Sequence, residues 1–338
     1  MNYSDNLNRL LQVPLDPAPL VLDLFAGCGG LALGFEAQGF QTLGFEMDGD
    51  ACASYRHNLH GDCVQITLDK DFKFPRAQVV IGGPPCQPFS VGGHQHGIRD
   101  ARDGFPVFIS AVEQTQPAVW MFENVRGLMY RNKDYLSAIT RELEALGYVV
   151  EHRLLNAVDY GVPQNRERVI VVGHRGEFRY PAPHARRITA GEALGELAVQ
   201  SPENSKFLTE GMDTYVAKYE KASYCVTPRD LHLHRPARTV TCRNLSAATG
   251  DMHRILLADG RRRRLSVREG ARLQSFPDWF AFQGSETSAY NQIGNAVPPL
   301  LAYAIAGSFR DYLASPVRLD GDQVKRRRQP EQLPLLAA

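Results

Sequence analysis

Leu20-Val21-Leu22-Asp23-Leu24-Phe25-Ala26-Gly27-Cys28-Gly29-Gly30 decides how the rest of the chain is read. An apolar run of strand length breaks at a glycine turn, and a helical stretch ending at Gly39 follows. Glycines there let a ligand approach the backbone at the carboxyl end of a first strand. The next strand, Phe40 to Phe45, leads into Glu46-Met47-Asp48. Glu46 lies 19 residues beyond Gly27, close to the spacing of an acid that binds ribose hydroxyls. Gly30 is followed by Leu31-Ala32-Leu33-Gly34, so the dinucleotide pattern G-x-G-x-x-G is absent. A nucleoside without a pyrophosphate fits better, and S-adenosylmethionine is one. Asp62, next to Cys63, is the third-strand candidate for adenine.

Working outward, the first half keeps alternating. Residues 77–81, 119–122, 148–150 and 169–172 read as short buried strands. Leu136, Ile139, Leu143 and Leu146 form one face of a helix over 134–148 that Gly147 stops. The pattern predicts an α/β fold: a doubly wound, mostly parallel sheet of the Rossmann-like kind, plus a second, smaller domain. The expected division is a catalytic and cofactor-binding domain over 1–180, completed by 286–320, with a small target-recognition domain over 181–285. Periodicity fades after Tyr180 and returns at Ser266-Val267-Arg268-Glu269, which has capping-box spacing. Residues 321–338 read as a disordered tail.

Composition narrows the class. Hydrophobic residues make up 43% and charged residues 22% of the 338, as in an ordinary globular protein. No run approaches a membrane span and no signal peptide opens the chain, so a cytoplasmic location is expected. Six cysteines without a C-x-x-C pair argue against a disulfide framework or a zinc site. His94 and His96 lack accompanying ligands, and no metal is expected. The net charge of +1 hides an asymmetry: −6 over residues 1–174 and +7 over 175–338. The second half is therefore the candidate polyanion-binding surface, including four arginines at 261–264 in an expected hairpin turn.

Three further stretches carry chemistry. Gly82-Gly83-Pro84-Pro85-Cys86-Gln87-Pro88-Phe89-Ser90 puts a cysteine just past the strand Val79-Val80-Ile81, with prolines fixing the backbone before it. That is a way to hold a nucleophile rigidly beside a loop. Phe122-Glu123-Asn124-Val125 ends another strand with a carboxylate, and parallel strands bring their carboxyl ends to one edge. In Gln164-Asn165-Arg166-Glu167-Arg168, alternate side chains share a face, and two arginines there need an anion or a carboxylate partner. Glu123 and Glu167 are both candidate partners, and Arg166 is a candidate to hold Glu123 in place.

These blocks resemble the DNA (cytosine-5)-methyltransferases of the prokaryotic type II modification kind. The resemblance includes Arg235-Pro236-Ala237-Arg238-Thr239-Val240-Thr241-Cys242-Arg243, the stretch from Arg268 to Asp278, and Asn291-Gln292-Ile293-Gly294-Asn295-Ala296-Val297-Pro298-Pro299. It runs from about Val21 to Leu313, nearly the whole chain. It implies an enzyme that methylates C5 of a specific cytosine in double-stranded DNA, with Cys86 attacking C6 of a flipped-out base. It implies Glu123, Arg166 and Arg168 as Cys86's catalytic companions, with Asn124 and Val125 completing the pocket. For S-adenosylmethionine it implies Phe25, Ala26, Gly27, Gly29, Gly30, Glu46, Met47, Asp62, Cys63, Pro85 and Asn295. The family often has an aromatic where this chain has Met47. For DNA it implies Gln87, Ser90, Arg99, Arg102, Gln164, Arg235, Arg238 and Arg243, with residues 90–103 as a loop closing over the base. A monomer is expected, with a cognate restriction endonuclease as possible companion. The family's tRNA-directed branch is the first alternative, but its Cys-Phe-Thr signature is here only Cys225-Val226-Thr227. A silent DNA-binding regulator is the second; the presence of Cys86, Glu123 and Arg168 speaks against it.

Overall fold

The computed structural model describes residues 2–14, 19–85, 103–184, 186–201, 204–222, 224, 229–246 and 250–315. Cys86, Gln87, Ser90, Arg99, Arg102, the His94/His96 pair and the 321–338 tail lie outside these residues. Helix α1 (Tyr3–Leu10) precedes the sheet. Strands β1 (Leu20–Leu24), β2 (Gln41–Glu46), β3 (Asp62–Gln65), β4 (Val79–Gly82) and β5 (Val119–Val125) pair in parallel. Strands β6 (Val149–Asn156) and β7 (Glu167–His174) complete a seven-stranded sheet ordered β3-β2-β1-β4-β5-β7-β6. Only β7 runs against its neighbours. That reversal matters because it brings the amino end of β7 to the edge where the parallel strands end.

The strands are apolar on both faces because both are covered. Leu22, Leu24, Val80, Trp120, Phe122, Val169 and Val171 face α4 (Phe105–Thr115) and α6 (Lys133–Ala145). Phe105 and Phe108 meet Phe122 edge-on at 5.0 and 5.6 Å between ring centres. Val21, Val79, Ile81, Met121, Ile170 and Val172 face α2 (Gly30–Glu36) and α12 (Pro299–Ala314). The second cluster continues without a break into Ala190, Leu194, Val240, Leu245 and Ile255, so the later chain is built onto the same core.

The capping box expected at Ser266 and Glu269 starts α10 (Val267–Leu273). Strand and helix expectations in the first half agree to within a few residues, except β6, which extends to Asn156. The aperiodic stretch after Tyr180 nonetheless holds α7 (Ala190–Leu194) and α8 (Glu210–Ala222). Val216 is the one buried residue of α8, so no apolar stripe marks it in the sequence.

The arginines at 261–264 are a correction. They enter a small hairpin of β8 (Arg254–Leu256) and β9 (Arg262–Arg264), but most turn inward. Arg263 is buried and forks onto Glu269 at 2.7 and 2.9 Å. Arg262 reaches Asp213 and Asp230, each at 3.2 Å. Arg264 donates to the Leu245 and Ser246 carbonyls. Arg261 stays exposed, paired with Asp259 at 2.7 Å and lying over the Phe207 ring. The local positive charge is largely consumed inside the fold and is not a phosphate track.

Candidate active site

The strand order reverses between β1 and β4, and the crevice at their carboxyl ends is where an open α/β sheet binds ligands. Phe25 sits there with φ of +59°, a strained conformation for a bulky residue. Gly27 and Gly29 follow at φ +55° and +89°, which L side chains rarely adopt. Pro85 closes the opposite wall. A Cβ on Gly104 would come within 2.5 Å of Pro85 Cδ and 2.9 Å of Phe25 Cζ, so Phe25, Pro85 and Gly104 are in contact across the crevice.

Glu46 ends β2 on the same edge. Its Oε2 accepts from Gly27 N–H at 2.8 Å, and its Oε1 accepts from the N–H groups of Met47 and Asp48 at 2.9 Å. A carboxylate has about four acceptor sites. Three are filled, and the remaining one suits a hydroxyl. Met47 beside it is 67% exposed. Asn295 lies exposed at the end of α11 (Glu286–Asn295). These groups fit a nucleoside: an aromatic ring to pack on, one hydroxyl acceptor, and glycine backbone without side chains.

Two cofactor expectations are corrected by register. Asp62 pairs with Leu43 and Gln65 with Glu46, so Asp62 lies at the amino end of β3, away from the crevice. It is 72% exposed there and pairs with Arg56 at 3.1 Å. Cys63 is fully buried, and its carbonyl accepts from the Cys52 thiol. Gln65, exposed and level with Glu46, holds the edge position instead. The sequence signal was available: Gln65-Ile66 ends the strand, whereas Gly61-Asp62 begins it.

Asp23 is a buried carboxyl one residue before the end of β1, and neither oxygen has a partner among the described residues. Burial, reinforced by the nearby charge of Glu46, raises its pKa well above the ordinary carboxylate range. Burial therefore favours the neutral form of this side chain.

On the other side of the crevice, Arg168 Nε meets Glu123 Oε1 at 2.6 Å, with the two side chains 13% and 12% exposed. The pair exists because β7 runs antiparallel to β5, setting Arg168 opposite Val125, two places beyond Glu123. Asn124 ties the strand ends together: its Nδ2 donates to the Pro84 carbonyl at 3.0 Å, and its Oδ1 accepts from Val125 N–H at 2.9 Å. That bond fixes the backbone two residues before Cys86. Val125 is exposed at the rim.

Arg166 and Gln164 do not meet their expectations. Arg166 is buried and forms no bond to Glu123; its Nη1 donates to the Val240 carbonyl at 2.7 Å, and its Nη2 to those of Gly294 and Ala296 at 3.1 and 3.0 Å. Burial, then the neighbouring charge of Arg168, lowers its pKa. Gln164 is fully buried and cannot reach DNA; its Oε1 accepts from Val240 N–H at 2.8 Å. Both lost their expected roles because the segment before β7 lies under the later chain rather than at the surface. Arg235, Arg238 and Arg243 are all exposed, and Arg238 also pairs with Asp251 at 2.9 Å.

No group of three or more metal-ligating side chains occurs among the described residues, and no described helix is long and apolar enough to cross a membrane.

Comparison with known proteins agrees with this geometry. The family model for C-5 cytosine-specific DNA methylases matches residues 20–310. A type II methyltransferase, M.AplI of Arthrospira platensis, is 54% identical over 315 residues, covering 92% of this chain and 91% of its own. M1.HphI of Haemophilus parahaemolyticus is 37% identical over 316 residues, covering 84% and 85%. The fold matches the solved structures of a Spodoptera frugiperda DNMT2 mutant and of Entamoeba histolytica EhMeth. Each has a TM-score of 0.66 at 16% identity and covers 88% of this chain, with 100% and 99% of the respective solved chain matched. A glycine-turn crevice at the switch point, a strand-end carboxylate braced by arginine, and a family match spanning the whole sheet agree: the chain belongs to the C-5 cytosine-specific DNA methylases, alongside the type II methyltransferases.

Proposed function

We propose that this protein methylates C5 of one cytosine within a specific sequence of double-stranded DNA, as the modification enzyme of a restriction–modification pair. The observation that supports it most is the Glu123–Arg168 pair at the carboxyl edge, beside the backbone that leads to Cys86. S-adenosylmethionine supplies the methyl group as a sulfonium. Phe25, the Gly27–Gly30 turn, Glu46, Gln65, Pro85 and Asn295 would hold it. Gln65 takes the adenine-facing role first expected of Asp62.

Cytosine C5 is a weak nucleophile. The Cys86 thiolate adds to C6, and the electron pair of the C5–C6 double bond becomes available at C5. Glu123 hydrogen-bonds N3 and the exocyclic amine, favouring the protonated ring that makes C6 electrophilic. Arg168 orients that carboxyl and lies within reach of the base. C5 bonds to the methyl carbon as the methyl–sulfur bond breaks, its electron pair staying on sulfur so that neutral S-adenosylhomocysteine leaves; C5 then loses its proton to a base, and the C6–S bond breaks to restore the aromatic ring and the thiolate. The base must leave the helix to be reached, which costs a few kcal/mol. Arg235, Arg238 and Arg243 are the exposed cations retained as DNA contacts.

The test is methylation of plasmid DNA by purified protein, mapped by bisulfite sequencing. Protected cytosines should appear in one recurring sequence. Complete conversion everywhere, with the methyl donor bound, overturns the reading.

A further inference from the structure

We infer that Arg166 is a positioning residue that couples recognition of the DNA sequence to alignment of the base pocket; this rests on the function proposed above. Its guanidinium is the meeting point of three parts of the site. Nη1 holds the Val240 carbonyl. Nη2 holds the carbonyls of Gly294 and Ala296, the two residues flanking Asn295. Two residues along the same strand face is Arg168, which braces Glu123.

The coupling does not run through one bond. The segment 163–166 grips 237–240 as a strand would. Ala237 N–H donates to the Pro163 carbonyl and Asn165 N–H to the Ala237 carbonyl, both at 2.9 Å. Thr239 Oγ1 donates to the Asn165 carbonyl at 2.6 Å. Gln164 accepts from Val240 N–H and donates to the Leu273 carbonyl and to Gln274. Gln274 in turn donates to the carbonyls of Ile293 and Ala296 at 2.8 and 2.7 Å. Gly294 completes the joint: a Cβ there would lie 2.0 Å from Cys242 N.

Residues 237–243 carry the exposed Arg238 and Arg243, and exposed Arg235 lies two residues before them. DNA engaging them pulls on a segment that is bonded at both backbone polar groups of Val240. A packed, dry network has few intermediate arrangements, so a shift at 239–241 is passed to 164–168 rather than absorbed. A mismatched site that seats 237–243 poorly is thereby converted into a misplaced Arg168–Glu123 pair. Sequence discrimination would then appear in turnover as well as in binding.

The test compares kcat/KM for the site mapped with the wild-type enzyme against the same duplex with one base pair changed. Arg166→Lys keeps the charge but loses the fork. Thr239→Val removes one bond at a partly exposed position and leaves the core packed. Both should compress the discrimination ratio by about 2- to 30-fold, the range of coupling along such networks. Most of the change should lie in kcat rather than KM. An equal loss at both duplexes, leaving the ratio unchanged, overturns the coupling and leaves Arg166 a plain packing residue. If Arg166→Lys fails to fold, Thr239→Val decides alone. A wild-type protein that methylates nothing sinks the underlying reading instead.

Discussion

Arg168 Nε lies 2.6 Å from Glu123 Oε1, and both side chains are largely shielded from water. A carboxyl so placed is aimed by its arginine, and the proposed reaction would use that aim. Arg168→Met should lower kcat by about 10²- to 10³-fold, the usual consequence of removing one aligned polar group from a reacting centre. Glu123→Gln should do at least as much while leaving the sheet intact. Stopped-flow single turnovers separate the chemical step from product release. If Arg168→Met raises KM for DNA and spares kcat, the arginine merely binds the substrate.

Gln65 stands level with Glu46, and Asp62 stands at the far end of its strand. Gln65→Ala should weaken S-adenosylhomocysteine binding by about 5- to 10-fold, the worth of one good hydrogen bond of about 1 kcal/mol. Asp62→Asn should leave it unchanged. Calorimetry on the two variants checks this directly. The reverse order of effects would mean that the bound nucleoside reaches beyond the edge of β3.

The difference between those two residues shows what the sequence could and could not disclose. The buried strands, the glycine turn and the spaced acid were legible because each is a local pattern with a local cause. Glu123 and Cys86 could be linked because parallel strands end together. Register is not local. Whether Asp62 or Gln65 faces the crevice depends on which residue of β2 each pairs with. Arg166 and Arg168 look equivalent in the chain, yet one is buried by Val240 and Gly294, residues 74 and 128 positions away. The arginines at 261–264 misled for the same reason, since Asp213, Asp230 and Glu269 neutralise them only after folding. A charge count sees the cations and not their partners.

Asp23 gives a stability prediction with a definite sign. Its carboxyl is buried without a partner, and burial raises its pKa in the folded chain. The folded state therefore keeps a proton that the unfolded chain loses above its ordinary value of about 4. Where the native state binds more protons, stability falls as pH rises. Asp23→Asn is neutral at every pH and lacks this slope. Thermal melts from pH 4 to 8 should show the wild-type protein losing ground to the variant as pH increases. Parallel curves would mean that the carboxyl is ionised and compensated in the folded state.

The last prediction concerns which thiol attacks. A thiolate is needed, and burial opposes forming one. Burial pushes the Cys28 thiol up to about 12, and it points at the Gln292 carbonyl. The Cys52 thiol donates to the Cys63 carbonyl at 3.1 Å, and the Cys63 thiol is itself raised by burial. All three thiols are buried, which keeps them from a substrate. Among the described residues Cys242 is the cysteine that is partly exposed, at the start of α9 (Cys242–Ser246), so it is a meaningful control. DNA carrying 5-fluorocytosine at the mapped site blocks loss of the C5 substituent and so traps the adduct. Peptide mapping should place that adduct on Cys86, Cys86→Ser should abolish it, and Cys242→Ser should leave it unchanged. Methyl-donor affinity should stay within about twofold in Cys86→Ser, since in the proposed reaction the thiol acts on the cytosine and not on the donor. An adduct that persists in Cys86→Ser would move the nucleophile to another residue and leave the strand-end cysteine a packing feature.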